Sequence, residues 1–206
     1  KNGIDSDISI LWKNVDNENR GYVVNVVNSS EIDIGFALPE DSQWTNISDI
    51  NDKVYNINLS GFFIYGEKVV RDMYINTNGF LYFSDKKFNK SRDLTENRLD
   101  DYIYNDGIFM PFDSLNSDLV NHAVKYIEIN NVFILELETL EKNDSNSIYE
   151  VQLIIYLNTH AKAGTIILKY GNLNLINDET NYGSLLGLTY GINNIQNINN
   201  ETIDFT

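Results

Sequence analysis

Apolar residues alternate with polar ones along short stretches of this chain, and Asn, Asp and Gly separate the stretches. Period-two alternation marks a half-buried strand, because successive side chains leave opposite faces. On this pattern strands are expected at 8–13, 21–28, 32–38, 54–65, 69–76, 79–84, 107–112, 122–129, 132–139, 148–157, 165–170, 185–191 and 202–206. No long stretch repeats at i, i+3, i+4 and i+7. The best helix candidates, 114–121 and 93–102, are short and polar. Many short strands joined by polar turns predict an all-β fold: a two-layer antiparallel β-sandwich, jelly-roll-like, with very little helix.

One hairpin is specified down to its register. Asn130 and Asn131 both tolerate the left-handed backbone that a two-residue loop requires. With the turn there, Ile129 falls opposite Val132, Ile127 opposite Ile134 and Lys125 opposite Glu136. Tyr126 then meets Leu135, and Val124 meets Leu137. Asn78-Gly79 signals a second hairpin between 73–76 and 80–83. Alternation assigns Phe80, Tyr82, Phe133, Leu135, Leu137, Leu153, Ile155 and Leu168 to the core.

The 206 residues fit one large sandwich, taken as a single domain over 1–206. Residues 1–30 read either as an edge hairpin or as the tail of a preceding domain. With 42% apolar and 12% aromatic residues the chain can bury a core. Thirty acidic residues against fifteen basic ones give a formal net charge of −15. That surface repels phosphate backbones and anionic lipid, so no nucleic-acid partner is expected. No apolar run approaches the ~20 residues of a membrane span, so no insertion is expected.

Candidate chemistry is sparse. Without cysteine there is no disulfide, thiolate metal site or thiol nucleophile. The two histidines, His122 and His160, do not fall near a serine in a nucleophile elbow, and 183–187 reads Gly-Ser-Leu-Leu-Gly. Glu136 and Glu138 share a strand face, as a glycosidase pair would, but Lys125 opposite Glu136 and a solvated face favour an ordinary surface ion pair. Hard oxygen donors gather at Asp100, Asp101, Asn105 and Asp106, and again at Asp113, Asn116 and Asp118. Calcium takes six to eight such oxygens, so it is the ion these loops would suit. The alternative is that Asp and Asn simply form turns. Trp12, Trp44, Tyr102 and Tyr104 lie among polar neighbours and are the candidates for exposed rings that would stack on a sugar. The alternative there is packing between sheets.

Four regions carry a family resemblance. They are Asp72-Met-Tyr-Ile-Asn-Thr-Asn-Gly-Phe-Leu-Tyr-Phe83; Ile108-Phe-Met-Pro-Phe112; Phe133-Ile-Leu-Glu-Leu137 followed by Val151-Gln-Leu-Ile-Ile-Tyr156; and Ile166-Ile-Leu-Lys-Tyr170 followed by Leu186-Gly-Leu-Thr-Tyr-Gly191. In this order they resemble the β-sandwich module of bacterial and archaeal cell-surface and secreted proteins, distantly similar to the nidogen-type (NIDO-like) extracellular domain. After Pro111-Phe112 the chain departs from the family, with Asp113-Ser-Leu115 where an aromatic and then acidic residues are common. The resemblance implies an extracellular or cell-surface location and a role in adhesion or matrix-type assembly, with no catalytic residue carried over. The expectation is therefore a non-catalytic interaction module within a larger multidomain protein or assembly. Its partner would be a host or matrix protein or a glycan. A carbohydrate-binding module with structural calcium is the alternative, and a glycoside hydrolase ranks behind both.

Overall fold

The computed structural model describes residues 8–15, 21–28, 34–47, 54–65, 68–76, 80–83, 107–112, 115–116, 123–141, 144–170 and 185–189. Thirteen strands are seen among them: β1 (Ile8–Val15), β2 (Gly21–Asn28), β3 (Thr45–Ile47), β4 (Val54–Tyr65), β5 (Lys68–Asn76), β6 (Phe80–Tyr82), β7 (Gly107–Phe112), β8 (Leu115–Asn116), β9 (Ala123–Ile129), β10 (Val132–Glu141), β11 (Asp144–Tyr156), β12 (Thr165–Tyr170) and β13 (Leu185–Thr189). Among the described residues the helical content is a three-residue 3-10 turn, Asp41–Gln43. The fold is an all-β sandwich of two antiparallel sheets, as expected. The eight-stranded sheet runs β2-β1-β12-β11-β10-β9-β3, with β8 added beside β10, and the five-stranded sheet runs β13-β7-β6-β5-β4. Consecutive strands β4 to β6 and β9 to β12 pair as meanders across short connections, while β6, which ends at Tyr82, and β7, which begins at Gly107, pair across a long stretch of chain.

The β9–β10 hairpin has the register read from sequence, from Ile129 opposite Val132 to Val124 opposite Leu137. Asn130 and Asn131 sit at φ of 52° and 60°, the left-handed pair that matches the right-handed twist of the strands. The β5–β6 hairpin pairs Asn76 with Phe80, Ile75 with Leu81 and Tyr74 with Tyr82.

The core lies between the sheets. Phe133, Leu135 and Leu137 of β10, Leu153 and Ile155 of β11 and Leu168 of β12 face Ile57, Phe63, Met73, Ile75 and Leu81 of the smaller sheet. Burying each such side chain is worth ~1.5–3 kcal/mol. Seven of the eight expected core residues are buried, and the eighth, Phe80, has a side chain outside the described set. Tyr82 corrects the reading of its face. Its neighbour Leu81 belongs to the inter-sheet core, and Tyr82 instead stacks on Tyr74 with ring centroids 5.3 Å apart. Phe63, Tyr65 and Phe83 form an edge-to-face trio inside the sandwich, and the Tyr65 hydroxyl donates to the Gly107 carbonyl at 2.9 Å. Part of the aromatic content is thus core material.

Two local expectations are corrected. Residues 34–38, expected within a strand at 32–38, do not form a strand. The alternation itself is real, because Ile34, Phe36 and Leu38 pack on a buried cluster while Gly35 and Ala37 are exposed. The segment lies across the outer face of the large sheet, so its apolar side meets a sheet face instead of a strand edge. Gly35 enters it at φ +83°, a backbone that β-branched or bulky residues resist. Within the helix candidate 114–121, Leu115 and Asn116 are extended and pair with Glu141 and Leu140. The candidate helix 93–102 and the candidate strand 202–206 lie outside the described residues.

Candidate functional site

Three places gather polar or exposed groups. The first is the outer face of the large sheet. There Val132, Ile134, Ile154, Tyr156 and Ile167 form a second apolar cluster beneath Ile34, Phe36, Leu38 and Trp44. We call residues 34–44 the strap. Within it Gln43 N–H donates to the Glu40 carbonyl, Trp44 N–H to the Asp41 carbonyl, and the Trp44 indole Nε1–H to the Pro39 carbonyl at 3.3 Å. At its end a row of polar side chains crosses the sheet. Asp41 and Lys125 pair at 2.8 Å, Lys125 and Glu136 at 3.1 Å, and Gln152 Nε2 donates to Glu136 Oε1 at 2.8 Å. Lys125 Nζ also lies 4.9 Å from the centroid of the Trp44 ring.

This row corrects the expectation of a solvated carboxylate face. Glu136 is only 9% exposed and Gln152 1%. Burial alone would push the Lys125 pKa down. Hydrogen bonds to Asp41 and Glu136, with the charges of both carboxylates, nevertheless hold it above the ordinary lysine value. Its hydrogen bond and charge in turn keep the Asp41 carboxyl below the usual range. Lys169, opposite Gln152 on β12, has its pKa lowered by burial. Side chains are described for one member only of the expected Glu136–Glu138 pair, Glu136, which is ion-paired with Lys125 and accepts a hydrogen bond from Gln152. That arrangement is an ion-pair row.

The second place is one end of the sandwich, where β4 bulges. Its register to β5 jumps between Asn58 opposite Asp72 and Phe63 opposite Val70. The surplus residues reach across to the other sheet. Ser60 N–H and Oγ–H both donate to the Glu128 carboxylate. Phe62 N–H donates to Asn158 Oδ1, and Asn158 N–H donates to the Phe62 carbonyl at 2.8 Å. Gly61 fits here because a Cβ would stand 3.2 Å from Leu157 Cδ1. In the adjoining turn His160 packs its ring 4.5 Å from that of Tyr156 and accepts the Lys162 N–H at Nδ1. Burial and then Lys162 lower its pKa.

The third place is the outer face of the β4–β5 hairpin. Ile64 and Val69 face each other in register and are 44% and 59% exposed. Beside them the Arg71 guanidinium carbon lies 5.0 Å from the centroid of the Phe62 ring. Sequence reading missed this patch, because Phe62, Ile64 and Val69 belong to two strongly apolar strands and no local signal tells which face lacks a cover.

Of the aromatic candidates, Trp44 is corrected: it is 7% exposed and packs with the strap. Its polar neighbours misled, since Gln43, Thr45 and Asn46 are exposed while the ring turns inward. Trp12 stands on β1 in register between Ile166 and Val24. Tyr102 and Tyr104 lie outside the described residues, as do His122 and the calcium candidates Asp100, Asp101, Asp106, Asp113 and Asp118. Among the described residues, no group of three or more His, Cys, Asp or Glu is placed to hold a metal ion, and no helix is long and apolar enough to cross a membrane. No protein-family model, curated protein or solved structure matches the chain.

Proposed function

We infer that the chain is a non-catalytic interaction module of an extracellular or cell-surface protein, and that it engages its partner through the outer face of the β4–β5 hairpin. The observation that carries this reading is the exposed Ile64–Val69 pair flanked by Arg71 over Phe62. Single exposed apolar residues are normal on any surface. A facing apolar pair bordered by an aromatic ring and an arginine has the composition of an interface centre, from which most charged residues are excluded while Arg and aromatics are enriched. The resemblance to NIDO-like surface modules points to the same class, with a host or matrix protein as partner.

The test is a binding panel of matrix proteins together with a glycan array, probed with the wild type and with Ile64→Glu/Val69→Glu. Both positions are exposed enough for the double variant to fold. A protein ligand bound at least about tenfold more weakly by the variant, a loss of about 1.4 kcal/mol, supports the reading. Protein binding untouched by the variant would sink the assigned face. Calcium-dependent binding to glycans alone would replace this reading with a carbohydrate-binding module.

A further inference from the structure

The strands that end the sheets share a property that the central strands lack, the three-residue β6 (Phe-Leu-Tyr) excepted. β2 and β3 end the larger sheet, and β13 and β4 end the smaller one. They read Gly-Tyr-Val-Val-Asn-Val-Val-Asn, Thr-Asn-Ile, Leu-Leu-Gly-Leu-Thr and Val-Tyr-Asn-Ile-Asn-Leu-Ser-Gly-Phe-Phe-Ile-Tyr, without one Lys, Arg, Asp, Glu or Pro. The chain as a whole is 22% charged. Interior strands carry that charge freely, as at Lys125, Glu128, Glu136, Glu150 and Lys169. Natural sheets ordinarily do the reverse and place charges or proline on their edges to block strand addition.

β2 is the edge best suited to accept a strand. It is eight residues long, four of them Val and one Tyr, types that favour the extended backbone. Along its whole length it pairs with β1 on one side, from Val15 opposite Gly21 to Ile8 opposite Asn28. Among the described residues no strand lies on its other side.

We propose that β2 is a self-association edge, where a second copy of this chain adds its own β2 antiparallel across a two-fold axis and joins two eight-stranded sheets into one. The occupant follows from charge. Each copy carries −15, so two copies repel across most of their surfaces, and an uncharged edge is where they can meet at least cost. A β2 edge is also the one surface certain to match another β2 edge in length and neutrality, and two-fold pairing is self-complementary. With the axis at Asn25, Asn25 falls opposite Asn25 of the other copy, Val24 opposite Val26, Val23 opposite Val27 and Tyr22 opposite Asn28. Full pairing adds on the order of eight backbone hydrogen bonds. The edge is separate from the β4–β5 face proposed for partner binding, so either can fail without the other.

Sedimentation velocity over a wide concentration range, with backbone hydrogen exchange on the same samples, tests the proposal. The wild type should form a dimer that strengthens with added salt, as screening relieves repulsion between acidic copies. Amide protection within 21–28 should rise with protein concentration. Asn25→Lys/Asn28→Lys should weaken the dimer about tenfold or more by setting like charges across the new ladder. It does so even though it lowers the net negative charge, so a general charge effect would act in the opposite direction. Asn56→Lys/Asn58→Lys on β4 serves as the control and should leave the dimer intact. A wild type that stays monomeric at millimolar concentration overturns the proposal. So does a dimer that the β2 variant leaves intact or the β4 variant abolishes, or one whose concentration-dependent protection falls outside 21–28. If the β2 variant fails to fold, wild-type exchange decides alone.

Discussion

Leu135 and Ile134 are neighbours on β10 and both are fully buried, yet different structures cover them. Leu135 faces the second sheet, a surface whose backbone is locked by its own ladder. Ile134 faces the strap, which is held on by apolar packing and by the Lys125 contacts. Among the described residues the centre of the inner face is apolar apart from the Tyr65 hydroxyl, and Glu128 meets Ser60 only at the sandwich end, whereas the outer face admits Glu136, Gln152 and Lys125 among its isoleucines. A cover that is another sheet leaves little room for charged side chains at its centre. A cover that is a single segment leaves its margin open to water, and there a carboxylate can be buried provided it finds partners.

The largest expected effect tests the inner face. Leu135→Ala should cost about 2–5 kcal/mol in equilibrium denaturation, because a rigid cover cannot collapse into the cavity. Ile134→Ala should fall at or below the low end of that range, since the strap can settle. Equal costs would mean the strap is as unyielding as a sheet.

Lys125→Met comes next, at about 1–3 kcal/mol. It leaves Glu136 buried with Gln152 as its remaining described partner and releases both Asp41 and the Trp44 ring. A red shift in tryptophan emission in the folded protein would locate the damage at the strap. Unchanged stability would show that the ion row is incidental. Asp41→Asn removes only the exposed end of the row and should leave the denaturation midpoint nearly unchanged.

The pH dependence separates these groups by sign. The Asp41 pKa is depressed in the fold, so its contribution is present above the ordinary carboxylate value of 3.8 and lost as pH falls through the lower folded value. The Lys125 pKa is raised, so its contribution is present below 10.5 and lost as pH rises through the higher folded value. His160 acts otherwise. Its pKa is lowered, so the unfolded chain takes up a proton more readily, and stability declines as pH drops below 6.5. In melting curves across pH, Lys125→Met should remove the Asp41 and Lys125 contributions and leave that of His160. Asn131→Gly should give the smallest effect, a gain of about 0.5 kcal/mol or less, because glycine takes the left-handed turn position without penalty.

The same comparison explains what was legible in the sequence. The β9–β10 register and the inner core could be read because a turn at Asn130-Asn131 and a period of two are local facts, and one correct pairing fixes every residue that follows. The outer face could not be read. Ile34, Phe36 and Leu38 have a strand's spacing, and nothing nearby in sequence says that their apolar side will meet a sheet face distant along the chain. Glu136 was misread as solvated for the same reason, since it is buried among Lys125 and Gln152 from neighbouring strands, and Trp44 was misread because its neighbours are polar. Part of the candidate site, the Asp-rich loops and Tyr102 and Tyr104, falls outside the described residues.

The β4 bulge has a kinetic consequence. Ser60 grips Glu128 across 68 positions of chain, and Phe62 meets Asn158 across 96. Each meander can zip from its own turns, but these bonds close only once both meanders exist and have docked. Loops of that length are entropically expensive to shut early. The clasp should therefore be absent from the folding transition state. Ser60→Ala should speed unfolding while leaving the folding rate nearly unchanged, a φ-value near zero on a chevron plot. A φ-value near one would mean that the sandwich is born at this seam and grows outward from it.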